Sequence, residues 1–335
     1  FAIELQKILY LMRQKGDKVV VMEVSSHALN EDRTYGIFFS GVGLTNLTRD
    51  HLDYHGTMEN YARVKATIFT RIRKGGYSVI NLDTEYSEYF LKYIHSIYSK
   101  YITISLVDPK AALFADNIKI DSSGTSFDIH FKEETYPAKI KLLGKQNVYN
   151  ALTAFALCWT QNIDINIIIE GLAELELVPG RFDVVNEGQN FMVVVDYAHS
   201  HDALKNLLTL AKELPHKRII TVFGCGGNRD KTKRPIMGQV CTELSDQVII
   251  TTDNPRSEPP ASIIDDILNG IKDKKNYVVI EKREEAIKKA VEMAQEGDVV
   301  LIAGKGHENY QIIGDEKFEF NDKEIAAKYI KEKIK

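Results

Sequence analysis

Five short apolar runs in the second half of the chain limit its possible folds more than any other feature. They fall at 191–195, 218–223, 247–252, 277–280 and 298–303, and each precedes or follows a stretch of helical spacing. In one such stretch, Glu284 to Ala294, residues Ala286, Ile287, Ala290 and Val291 form a single apolar face. Alternation of this kind implies a mainly parallel sheet covered on both sides. Ligands of such sheets bind beyond the carboxyl ends of the strands. The polar motifs of this half fall there: Asp196-Tyr197-Ala198-His199, Gly224 to Asp230, Asp253 to Arg256, and Gly304 to Glu308.

The first half has a looser version of the same rhythm. Lys18 to Val24 reads as a compact β-branched strand running into the polar cluster Glu23, Ser25, Ser26 and His27. Gly41 to Asn46 is a weaker strand, followed by the polar stretch Thr45 to Gly56 and a helix from Met58 to Arg71. Tyr77 to Leu82 and Tyr101 to Val107 read as buried strands. Ile118, Ile120, Phe127, Ile129 and Phe131 alternate around Ser122-Ser123-Gly124, so 114–142 reads as a β-meander, closed by a helix from Val148 to Thr160. The Pro-Gly break at Val178-Pro179-Gly180-Arg181 divides the chain into domains 1–177 and 178–335.

Composition removes several function classes. A net charge of -4 and a pI near 6.2 argue against a nucleic-acid binder. No apolar run approaches the roughly 20 residues of a membrane span. Cys158, Cys225 and Cys241 form no CxxC pair, which favours a reducing cytoplasm. The opening Phe1-Ala2-Ile3-Glu4 has no initiator methionine or signal pattern and reads as though cut from a longer protein. No sequence signal marks an oligomer interface, and a monomer is expected.

Several constellations carry chemistry. Thr45 to Gly56 packs Arg49, Asp50, His51, Asp53 and His55 into one loop, with Glu23 and His27 ending another segment. Oxygen-rich donors with one or two imidazoles suit Mg²⁺ that also contacts phosphate, and no HExxH or Cys-His pattern points to zinc. A solvated polar loop is the bland alternative. Lys65 follows about two turns into the next helix, where a lysine is ordinarily solvated but, beside acids, supplies charge or is chemically converted. The loop Gly224-Cys225-Gly226-Gly227-Asn228-Arg229-Asp230-Lys231 is either an anion cradle of backbone amides or a tight glycine turn; it is not a Walker A. Asp253-Asn254-Pro255-Arg256 ends a strand with a guanidinium whose fork fits a carboxylate. In Gly304-Lys305-Gly306-His307-Glu308 the glycines permit close approach and Glu308 offers a carboxylate to an amine.

Taken together, the motifs MEVSSHAL, NLTRDHLDYHGTMENYARVK, LLGKQNVYNALTA, PGRFDVV, VVVDYAHSHDALKN, VFGCGGNRDKTKRPIMG, TTDNPRSEPP and LIAGKGHENYQIIG resemble the Mur ligase family over essentially the whole chain. The resemblance implies an α/β fold: a central ATPase domain, with a parallel-sheet core plus small β-meander, followed by a Rossmann-like C-terminal domain. It implies an ATP-dependent ligase of peptidoglycan synthesis acting through an acyl phosphate. The substrates it implies are ATP, UDP-N-acetylmuramoyl-L-alanyl-D-glutamate and meso-diaminopimelate, with Mg²⁺. By the same resemblance Glu23, His51 and a carbamylated Lys65 are the catalytic metal ligands. Asn147, Asn150, Arg181 and Asp196 lie at the nucleotide, and Ser25 and Arg33 at the UDP-muramyl peptide. Arg229, Asp253, Asn254, Pro255, Arg256, Gly304 and Glu308 line the diaminopimelate pocket, with Arg256 taking the distal carboxylate that lysine lacks. Two departures stand out: Glu31 replaces a family glutamine, and Ser200-His201 replaces the usual Thr-Pro. The family's phosphate loop, GTxGKT, is expected upstream of residue 1, so residues 1–335 alone are expected not to turn over. The competing readings are a lysine-adding muramyl ligase, a folylpolyglutamate synthetase-like ligase and a non-catalytic binding module.

Overall fold

The computed structural model describes residues 2–121, 123–272 and 275–335; Phe1 and Ser122, both used above, lie outside the described residues. Packing divides the chain into two units. One comprises Phe1–Lys119, Ser126–Lys139 and Lys145–Glu174; the other comprises Ile120–Thr125, Ile140–Gly144 and Leu175–Lys335.

The chain begins with α1 (Ala2–Gln14), α2 (Ser26–Asn30), β1 (Phe39–Leu44), the short turn α3 (Leu52–His55), α4 (Met58–Ala66) and β2 (Ile72–Asn81). There follow α5 (Ser87–Ser96), β3 (Lys100–Ser105), β4 (Leu113–Asp121), β5 (Gly124–Phe131), β6 (Glu134–Ile140), α6 (Lys145–Trp159) and α7 (Ile165–Glu174). β1, β2, β3 and β4 are parallel neighbours, and β5 and β6 continue the sheet in chain order, as a meander requires. Leu44, Ala62, Ala66, Phe69, Ile80, Phe90 and Ile94 pack into one core over this sheet. The helix expected from Met58 to Arg71 tightens to a 3-10 turn at Thr67–Arg71. There the Thr67 and Thr70 hydroxyls each donate at 2.7 Å to the carbonyl three residues back, a local bond that competes with regular α geometry.

One expected strand is absent. Residues 17–25 carry no helix or strand, and Val19 and Val21 are 73% and 90% exposed. β-branched residues favour strands because they fit a packed, pleated surface, and among the described residues no strand pairs with this run.

The remaining elements are β7 (Asp183–Val184), β8 (Met192–Asp196), α8 (His201–Glu213), β9 (Ile219–Phe223), α9 (Lys233–Leu244), β10 (Gln247–Ile250) and α10 (Pro260–Leu268). β11 (Tyr277–Val279), α11 (Arg283–Met293), β12 (Val299–Ala303), the hairpin β13 (Tyr310–Ile313) and β14 (Glu316–Glu319), and α12 (Asp322–Ile334) complete the chain. The sheet order is β11-β10-β9-β12-β8-β7, parallel except for β7. Period-2 alternation sends Val194, Val248 and Leu301 to one face, against α8, α9 and α10. The same alternation sends Val193, Ile249 and Val300 to the other face, against α11 and α12. The chain leaves β9 toward the first face, whereas after β12 and the hairpin it returns to the second. The loops after these two neighbouring strands therefore diverge, which is where open α/β sheets bind ligands.

An ion pair without solvent contact anchors those strand ends. Arg283 donates to Asp322 through Nε at 2.8 Å and Nη2 at 2.6 Å, and both side chains are fully buried. Its remaining donors reach Thr252 O just past β10 at 3.3 Å and Ala303 O at the end of β12 at 3.0 Å. Asp322→Ala leaves the guanidinium buried and unpaired, and is expected to cost about 3–5 kcal/mol. The apolar double variant Arg283→Met/Asp322→Leu is expected to cost far less. Urea unfolding of both checks this; a loss below about 1 kcal/mol for Asp322→Ala would show that the pair is no anchor.

Candidate active site

In the first unit, the polar loop after β1 and the segment before α2 meet around Lys65. His51 precedes α3 at φ +55°, a left-handed conformation rare outside glycine, and its backbone N–H donates to Asp50 Oδ1 at 2.9 Å. The His27 and His51 rings meet edge to face at 5.0 Å. His55 is buried, stacks on Tyr61 at 4.8 Å and bonds Ser26 Oγ at 2.8 Å. Burial, then the neighbouring His27, His51 and Lys65, push its pKa down. Burial also pushes the Lys65 ammonium below its ordinary value, against the opposing pull of Glu23 and Asp50. Lys65 Nζ lies 5.4 Å from the centre of the Tyr61 ring.

Glu23, Asp50, His51 and Lys65 thus share one neighbourhood, as the sequence suggested. Among the described residues, however, no three His, Cys, Asp or Glu side chains group closely enough to hold a metal by themselves. A carboxylate and an imidazole beside a destabilised ammonium still suit a hard cation that keeps water and phosphate ligands, rather than a protein-only cage. Ser25 caps α2, accepting from Ala28 N at 3.2 Å. Arg33 is engaged by Glu31 at 2.6 Å, so the residue replacing the family glutamine holds the neighbouring guanidinium. On α6, Asn150 donates to Asn147 Oδ1 at 3.1 Å.

The second unit gathers the strand-end motifs. Asp196 accepts from Phe182 N at 2.7 Å and Ala198 N at 2.8 Å. Burial raises its pKa, although those amides, Arg181 and His199 favour the anion. Arg181 lies 5.1 Å over the Tyr197 ring. Asp253 Oδ1 accepts from Asn254 N at 2.6 Å, and Gly304, at φ +119°, has no room for a side chain because Asp253 Oδ2 would lie 2.7 Å from its Cβ. Asn254 donates to Glu308 Oε2 at 2.9 Å and accepts from Lys305 Nζ at 3.2 Å and Ile312 N at 2.9 Å. The fully buried Lys305 reaches the same Glu308 oxygen at 3.1 Å. Arg256, at φ +53°, bonds only carbonyls among the described residues: Gly227 O at 2.8 Å and Asn254 O at 3.4 Å. Burial and then the adjacent Arg229 push its pKa down.

Two amides of the glycine loop after β9 are taken by the protein itself. Gly227 N donates to Asn254 O at 2.9 Å, and Asn228 N donates to Glu258. The glycines serve close packing: a Cβ on Gly227 would collide with Pro255 O, and one on Gly226 would lie 3.0 Å from Arg256 Nη1. Sequence reasoning missed three buried cations that support this site, Arg234, Arg283 and Lys305. Two of them offered a signal: Arg234 and Arg283 lie in the first turns of α9 and α11, where the helix dipole disfavours a cation unless a partner holds it.

Comparison with known proteins fits this geometry. Residues 1–158 match the family model described as Mur ligase middle domain, and residues 180–306 match Mur ligase, glutamate ligase domain. The chain is 48% identical over 333 residues to UDP-N-acetylmuramoyl-L-alanyl-D-glutamate–2,6-diaminopimelate ligase 1 of Clostridium acetobutylicum, covering 99% of this chain and 67% of that protein. A solved structure of a UDP-N-acetylmuramoyl-L-alanyl-D-glutamate–2,6-diaminopimelate ligase shares 34% identity at a TM-score of 0.66, covering 99% of this chain and 68% of that one. A folylpolyglutamate synthase from Thermotoga maritima shares the fold alone, at 20% identity and a TM-score of 0.60 over 81% of this chain and 59% of that one.

The charge network makes a pH prediction. The Arg234 hydrogen bonds lower the Glu258 pKa from 4.5 to about 2. A depressed carboxyl pKa contributes stability above its unfolded value that is lost as pH falls toward the folded one. Urea midpoints are therefore expected to drop between pH 4.5 and about 2, more steeply in the wild type than in Glu258→Gln. Equal slopes in the two proteins would contradict it.

Proposed function

This chain belongs to the Mur ligase family, and we propose that it serves the ATP-dependent addition of meso-diaminopimelate to UDP-N-acetylmuramoyl-L-alanyl-D-glutamate. The reaction class is acid–amino-acid ligation in peptidoglycan precursor synthesis. A free carboxylate oxygen of the nucleotide-linked peptide attacks the γ-phosphorus of ATP, and ADP leaves. The amine then attacks the acyl carbon, phosphate departs and the amide remains. Charge neutralisation and positioning dominate such phosphoryl transfer.

On this reading Lys65 is carbamylated. Desolvation favours its neutral amine, whose nitrogen bonds the carbon of CO₂ as one proton leaves, converting a cation into a carboxylate-like anion. Glu23, His51 and that carbamate would hold Mg²⁺, which when bound supplies positive charge to phosphate oxygens. Asn147 and Asn150, and separately Arg181 and Asp196, are assigned to the nucleotide, and Ser25 and Arg33 to the UDP-muramyl peptide. The need for ATP favours the cytoplasm as the place of the reaction.

The observation that carries the amine assignment is Arg256: desolvated, beside Arg229, its guanidinium hydrogen-bonded among the described residues only to carbonyls. Diaminopimelate brings the missing carboxylate, while Glu308, already oriented by Asn254 and Lys305, faces an amine. Asp253, Pro255 and Gly304 shape the same turn. In the full-length enzyme, Arg256→Gln is expected to lower kcat/KM for meso-diaminopimelate by about 100-fold and to remove most of the preference over L-lysine. A wild-type enzyme that adds both amines equally well refutes the assignment. For Lys65, protein equilibrated with ¹³C-bicarbonate is expected to show a carbamate resonance that is missing from Lys65→Arg; no such signal in the wild type rules the carbamate out.

A further inference from the structure

Arg256 has an obvious counter-ion two residues along the chain, and it is not using it. The Glu258 carboxylate is turned instead to Arg234, which donates from Nη2 to Oε1 and from Nη1 to Oε2, each at 3.0 Å. Lys231 adds a bond to Oε2 at 3.2 Å, and the Asn228 backbone N–H donates to Oε1. Arg234 is completely buried on α9 and is fixed further by Asp266 Oδ2 at 2.8 Å and Gly226 O at 3.1 Å. Its Nε is buried without a partner, an unsatisfied donor of the kind that native proteins seldom retain without a role.

The geometry has a consequence for the arginine pair. Arg229 and Arg256 repel one another, and the loops that carry them are fastened by Gly227 N to Asn254 O at 2.9 Å and by Asn228 Oδ1, which accepts from Ser257 N at 3.2 Å and Ser257 Oγ at 2.9 Å. A carboxylate left loose between them would neutralise both cations. We propose that Arg234 is a positioning residue for specificity: it sequesters Glu258 so that Arg256 and Arg229 remain available to the carboxylate of the amine substrate. Without its fork, Glu258 becomes an internal competitor for the substrate's place. This inference rests on the reading that Arg256 receives a substrate carboxylate.

The test is a suppressor experiment in the full-length enzyme, with meso-diaminopimelate and L-lysine as the probes and folding of each variant checked by circular dichroism. Arg234→Met is expected to raise KM for meso-diaminopimelate about tenfold or more, with little change in kcat and little change toward L-lysine, because a freed carboxylate competes directly with the ligand's. Glu258→Gln keeps an oxygen for Asn228 N and removes the competitor's charge. Adding it to Arg234→Met is expected to return KM to within about threefold of wild type, as removal of a competing charge should. If Arg234→Met does not fold, Arg234→Lys, which keeps the charge but loses the fork, takes its place and is expected to show the same pattern more weakly. A double variant as poor as the single one overturns the proposal, as does equal damage toward both amines. Loss of preference in Arg256→Gln but not in the Arg234 variants also overturns it, while leaving the carboxylate reading intact. A wild type with no preference sinks that reading itself.

Discussion

The buried pair of Arg283 and Asp322 is the constraint from which the second unit's strand-end site follows. Arginine has donors enough to hold a carboxylate in two parallel bonds and still reach two backbone carbonyls, which a lysine ammonium cannot reproduce. Those carbonyls, Thr252 O and Ala303 O, lie at the ends of β10 and β12. With them fixed, Asp253 and Gly304 approach so closely that only glycine fits at 304. Asp253 then takes the Asn254 amide, Asn254 orients Glu308, and Lys305 donates to the same Glu308 oxygen. Each step uses a hydrogen bond in a region of low dielectric, where an unsatisfied group costs more than in water. The arrangement of this turn therefore depends on Arg283 and Asp322, two fully buried side chains.

This explains what the sequence could and could not disclose. The second sheet was legible because its central strands β8, β9, β10 and β12 are apolar on both faces and the helices beside them carry apolar stripes. The hairpin of β13 and β14 was not, because β14 is exposed throughout and buries no face that periodicity could reveal. Lys18 to Val24 misled for the opposite reason: it has the composition of a strand without a ladder to join. In the site, motif residues were readable because they sit at strand ends. Arg234 and Arg283 were not singled out, since a charged residue on a helix is by default solvated; only their first-turn position, against the dipole, marks them as held by partners.

The two departures from the family pattern have different physical weight. Ser200 caps α8, accepting from Ala203 N at 3.3 Å, so serine retains what threonine would supply. His201 replaces a proline at the first helical position, where proline offers only a preset φ, so little is lost. Glu31 is another matter, since its carboxylate lies 2.6 Å from Arg33. That pair is largely exposed and so contributes little to stability, yet any anion seeking Arg33 must displace it.

On the proposed reading, a comparison of charges accounts for selectivity in the amine pocket. Among the described residues, three buried cations of the second unit have carboxylate partners: Arg283 has Asp322, Arg234 has Glu258 and Asp266, and Lys305 has Glu308. The half-buried Arg256 forms no such ion pair among the described residues, and Arg229 lies beside it, while the nearby Asp253 and Glu308 partly offset the positive charge. Shape alone discriminates weakly between amines of similar length, because a methylene more or less in a pocket changes affinity only modestly. A guanidinium placed for a carboxylate acts more strongly, since leaving it without that anion carries an electrostatic cost. Lysine carries a hydrogen where diaminopimelate carries its distal carboxylate, so only diaminopimelate supplies an anion to Arg256. Selectivity then comes less from what surrounds the ligand than from the carboxylate that the protein withholds from Arg256.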